Sequence, residues 1–195
     1  MKITLPLFLT LMTSSATAAL VHNSLSFKYQ DNPRHDPREP DYSAQDYELR
    51  CPKSKDPRKM TLPAITQELD DKGKATNILE CWEIDNVVPA VEGIEGASLV
   101  GWGAFDEAFQ YDFHEGFFMP PHPAPEPSLV LMSTGVGLIT VPSGEVLRLG
   151  PGDTFFSVGT DGWQTAWWSE GTRVTDFYFK DGKIPSHSTV HKSTR

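Results

Sequence analysis

The sequence predicts an all-β fold, a sandwich or barrel. Between Pro120 and Trp168, short β-rich runs recur at intervals of about eight to twelve residues, each closed by Gly, Pro, Asp or Ser. Within these runs, Glu145 to Leu149 alternates polar and apolar, the period of a half-buried strand. The turns are explicit too: Pro142-Ser143-Gly144, Gly150-Pro151-Gly152-Asp153 and Gly159 to Gly162.

In chain order, Met1 to Ala18 reads as a secretory leader. Lys2 supplies the positive start, Ile3 to Met12 the apolar centre, and Ala16-Thr17-Ala18 the small-residue cleavage site. The apolar run is too short to cross a bilayer and no second long one follows, so no membrane span is expected. The expected location is outside the cell or in the lumen of the secretory pathway. Residues 19–70 form a polar, proline-rich arm, with Pro33, Pro37, Pro40, Pro52, Pro57 and Pro63 breaking any regular pattern. Within it Leu62 to Asp71 reads as one short helix capped by Thr61 or Thr66. Cys51 and Cys81 are the only cysteines, and in a secreted chain such a pair is most simply a disulfide.

Residues 71–183 carry the β body. Thr76 to Ile84 and Ser98 to Ala104 read as strands. Ala108 to Met119 places Phe109, Tyr111 and Phe113 on one face and Gln110, Asp112 and His114 on the other. If the aromatic face fills the core, His114 points to solvent; if the aromatics pack outward, the polar face with His114 lines the barrel lumen. Leu129 to Met132, Leu138 to Val141 and Thr154 to Val158 are the apolar runs of the central stretch, and Arg173 to Lys180 alternates as a last strand. Residues 184–195 are polar and read as a loose tail. The 195 residues carry a net charge of −9, which disfavours nucleic acid and anionic membrane as partners, because both need clustered Lys and Arg.

Taken together, "VLMSTGVGLITV", "SGEVLRLGPGD" and "TFFSVGTDGWQT" resemble the hairpins of the cupin superfamily. The resemblance implies a single cupin-like jelly-roll β-barrel behind the proline-rich arm. Cupins commonly hold a divalent metal with three histidines and a carboxylate. In the first motif of that family His122 falls at the second histidine, Pro120 at the first, and Glu126 at the carboxylate, while Gly135 comes two residues late. In the second motif Trp163 stands at the histidine, or Gln164 after a one-residue slip. Two of the four usual ligands are therefore absent. The expectation is a site without a cofactor; the alternative is a divalent transition metal on His114, His122 and Glu126.

Aromatic side chains stand in for the metal. Trp102, Phe156, Trp163 and Trp167, with His114, are the expected walls of a pocket for a small hydrophobic or aromatic molecule. Trp167 and Trp168 are adjacent, so in a strand one faces in and the other needs a cover, which the N-terminal arm or the partner subunit of a homodimer would supply. His122 is the expected acid–base group, with His114, Glu126 or Asp112 as its partner, and Gln164 or Trp163 a hydrogen-bond donor to developing negative charge. These point to a metal-independent isomerase, cyclase or dehydratase acting on a small aromatic or polyketide-like intermediate of secondary metabolism. A metal-dependent cupin oxygenase or isomerase and a non-catalytic small-molecule-binding protein are the alternatives.

Overall fold

The computed structural model describes residues 48–85, 87–88, 92–93 and 97–192. The expected leader, residues 1–18, and most of the arm lie outside the described residues. The described chain is built from thirteen strands. These are β1 (Met60–Leu69), β2 (Ala75–Ile84), β3 (Val87–Val88), β4 (Leu99–Val100), β5 (Phe105–Phe113), β6 (Phe117–His122) and β7 (Ser128–Thr134). They continue with β8 (Gly137–Thr140), β9 (Val146–Leu149), β10 (Thr154–Ser157), β11 (Gln164–Trp168), β12 (Thr172–Phe179) and β13 (His187–Lys192).

The strands form a seven-stranded sheet in the order β13-β2-β1-β10-β7-β12-β5 and a four-stranded sheet in the order β6-β11-β8-β9; β3 and β4 pair separately. Neighbours in the two larger sheets run antiparallel, apart from the parallel pair of β1 and β10. No ladder joins the two sheets among the described residues. The barrel expected from the sequence is therefore found as two open layers packed face to face, because hydrogen bonding closes within each sheet and side chains alone bridge them. Ile65, Leu79, Val130, Met132, Phe155 and Val174 from the large sheet meet Ile139, Leu147, Leu149, Ala166 and Trp168 from the small one.

A second core covers the other face of the large sheet. Ala64, Trp82, Ile84, Leu129, Phe156 and Phe179 pack there, with Trp102 and Ile184 against them. Phe156 is fully buried, a contribution of roughly 1.5–3 kcal/mol from its apolar surface alone.

Two elements differ from the sequence expectation. The predicted helix at 62–71 is instead β1, paired with β2 along ten residues from Met60↔Ile84 to Leu69↔Ala75. Its Ala64, Ile65 and Thr66 are buried between two cores, so both faces are occupied and no helical face is needed. The predicted loose tail contains β13, which pairs with β2, and His187 stacks on Trp82 with ring centroids 3.7 Å apart. Cys51 and Cys81 form the expected disulfide, Cα to Cα 5.4 Å, tying the segment before β1 to the middle of β2. Among the described residues no helix is long and apolar enough to cross a membrane.

Candidate functional site

The site is a cavity of about 150 Å³ between the two sheets. From the large sheet it is walled by Tyr111 and Phe113 of β5, Ser128 and Val130 of β7, Phe155 and Ser157 of β10, and Val174 and Asp176 of β12. From the small sheet come Met119 and His122 of β6, Ile139 of β8, and Gln164, Ala166 and Trp168 of β11; Ala124 and Pro125 close one side. The register sorts these walls by chemistry. Trp168 pairs with Phe117 at one end of β11, and Gln164 pairs with His122 at the other. Ser128 pairs with Ser157 and with Tyr178 beside that polar end.

At the apolar end, Trp168 stacks on Phe113, centroids 5.4 Å apart, and its Nε1–H donates to the Met119 sulfur at 3.1 Å. The ring lies so close over β8 that a Cβ on Gly137 would overlap it. Only glycine at that position lets the indole lie flat against the strand.

At the polar end, His122 Nδ1–H donates to the Pro120 carbonyl at 2.7 Å, which leaves Nε2 as the nitrogen free to exchange a proton. Gln164 is buried, and its Oε1 accepts from Asn77 Nδ2 at 2.5 Å. That bond orients the amide, so what Gln164 offers a ligand is its N–H pair. Asn77 is itself locked in a backbone nest, since a Cβ on Gly159 or Gly162 would overlap its carboxamide.

Asp176 is only half-buried, yet it faces an apolar space, and burial pushes its pKa up to about 7. The Tyr178 hydroxyl is raised well above its usual value, first by burial, then by the Tyr111 hydroxyl 3.4 Å away and the charges of Asp176 and Glu126. Tyr111 lines the cavity while 42% exposed, which places it at the opening.

Of the residues singled out by sequence, the cavity brings together His122 and Gln164. Glu126 lies outside it, exposed in the turn before β7. His114 is exposed in the turn after β5, beside Asp112. Trp163 is exposed, next to Gln164 but off the cavity wall. Trp102 and Phe156 do not line the cavity; they pack edge-on to each other, centroids 6.1 Å apart, on the opposite face of the large sheet. Trp167 does not line it either, and packs with Leu138 and Val146 on the outer face of the small sheet. It is buried within the single chain, so its cover does not call for a second copy. In both aromatic pairs the neighbour, Phe155 or Trp168, takes the inward place.

The sequence reading missed Asp176, Tyr111 and the two serines. Asp176 had a signal: an acidic residue between Val174 and Tyr178 on the face of β12 that those two apolar side chains share. Among the described residues no three His, Cys, Asp or Glu side chains lie close enough to share a metal ion, so His114, His122 and Glu126 are not gathered as a ligand set. Compared with known proteins, the chain matches no family model, no curated protein and no solved structure.

Proposed function

We propose that the chain is a jelly-roll protein of the cupin type, working in the secretory pathway or outside the cell. Its inter-sheet cavity moves a proton on a small aromatic substrate, as an isomerase, cyclase or dehydratase that uses its own side chains. The nesting of the strands supports the fold reading. β5 pairs with β12, β6 with β11, β7 with β10 and β8 with β9, the antiparallel nesting of an eight-stranded jelly roll. The disulfide points to an oxidising compartment, which supports the location.

The observation that carries the function is that His122 and Gln164 sit opposite each other on adjacent strands and line the same cavity. His122 Nε2 takes or returns the proton, and the Gln164 amide donates to the oxygen where negative charge develops. The apolar end holds the ring. A cavity of about 150 Å³ suits a single ring, since voids of that size accept benzene.

The test is proton exchange. One-ring ketones such as acetophenone are incubated with the protein in deuterated buffer and followed by NMR. The expected result is faster exchange with the wild type and a loss of about 100-fold or more of that acceleration in His122→Ala. No acceleration by the wild type, or an unchanged rate in His122→Ala, overturns the reading.

A further inference from the structure

Among the described residues, Asp176 is the one carboxylate on the cavity wall, and no Lys or Arg lines that wall. Its ladder neighbours are Val130 of β7 and Phe109 of β5, and neither carries charge. Among the described residues it has no hydrogen-bond or ion-pair partner. The titratable groups around it are the Tyr111 and Tyr178 hydroxyls, His122 across the cavity, and Glu126, whose charge reaches Tyr178 from outside. Among the described residues His122 makes no ion pair with Asp176, and its Nδ1–H donates to the Pro120 carbonyl. Among the described residues the protein thus places a carboxylate in a largely apolar space with no Lys or Arg beside it and no ion pair to balance its charge. Three aromatic rings, Tyr111, Phe113 and Trp168, line the same space, and ring faces attract ammonium groups.

We propose that the ligand of this cavity carries a protonated amine, seated on the Asp176 carboxylate and held on a frame of about one ring. The inference rests on the cavity being the substrate site and names the class of substrate that enters it. The acidic chain as a whole, net charge −9, favours approach of a cation over an anion. Because burial holds the pKa of Asp176 at about 7, a seated ammonium would also return the carboxyl to its charged form and release a proton to solvent at neutral pH. The amine serves as an anchor. The proton handled by His122 is a different one, at the other polar wall.

The experiment uses the full chain and three probes of one shape: benzylamine, benzyl alcohol and toluene, each titrated by NMR. Near pH 8, where Asp176 is ionised and benzylamine still protonated, benzylamine is expected to bind about tenfold more tightly than benzyl alcohol. The preference should vanish near pH 5 and in Asp176→Asn, which keeps the shape of the wall. Toluene should bind the wild type and Asp176→Asn alike, showing that the variant is folded with its cavity open. Equal binding of amine and alcohol, or a preference that survives Asp176→Asn, overturns the amine while leaving the cavity reading intact. Failure of all three probes to bind overturns both.

Discussion

Asp176 sits where burial disfavours its charged form. An acid raised from 3.8 to about 7 keeps its proton in the folded chain where the unfolded chain has already lost it. Between those values the folded state binds more protons, so stability from this group is greatest below about pH 4 and declines as the pH climbs to about 7. At roughly 1.4 kcal/mol per pH unit the upper limit is about 4 kcal/mol, reduced by the water that reaches a half-buried carboxyl. Asp176→Asn should therefore raise stability by on the order of 1–3 kcal/mol near pH 8 and leave it unchanged near pH 4, read from thermal melts at both. A group that weakens the fold at neutral pH and faces a cavity has the character of a functional residue.

At the level of the element, alternation was readable but its phase was not. Phe155-Phe156 and Trp167-Trp168 announce strands, and a period of two says that one of each pair faces inward without saying which. The phase is set by partners far away in sequence: Phe155 opposes Val130, and Trp168 opposes Gly137. Motif spacing singled out His122 but left Trp163 and Gln164 open, one residue apart, and the ladder puts Gln164 opposite His122. β1 was misread because Leu62 to Leu69 mixes apolar and polar residues with no clean period. Only the ladders to β2 and β10, and burial on both faces, make it a strand. β13 was misread because a polar edge strand has no apolar signature at all. The close fit of Trp168 over Gly137 gives a test of this packing. Gly137→Ala should cost about 1–3 kcal/mol in denaturant unfolding and shift indole emission, because the added methyl displaces the ring from Phe113.

For the whole molecule, the sheet order binds distant parts of the chain. The disulfide closes a loop of 30 residues, which constrains the unfolded chain by roughly 3–4 kcal/mol in the entropy model. Replacing Cys51 and Cys81 by alanine together should lower stability by about that amount, read from the urea midpoint of the variant against the oxidised parent. The all-β class, the disulfide and the central hairpins were legible because turns and cysteines are local signals. The seven-stranded extension was not, because it depends on β1, antiparallel to β2, also pairing parallel with the distant β10, which no local pattern encodes.

That order also has a consequence in time. The last strand, β13, docks on β2, whose partner residues lie about a hundred positions earlier in the chain. A polypeptide made from its N-terminus can join Cys51 to Cys81 while most of β5 to β12 is still unmade. It must then wait with the flank of β2 uncovered. The covalent tie can come first and the closing of that flank must wait for β13, so synthesis of β13 is the event that releases the chain from a state prone to pair with its neighbours.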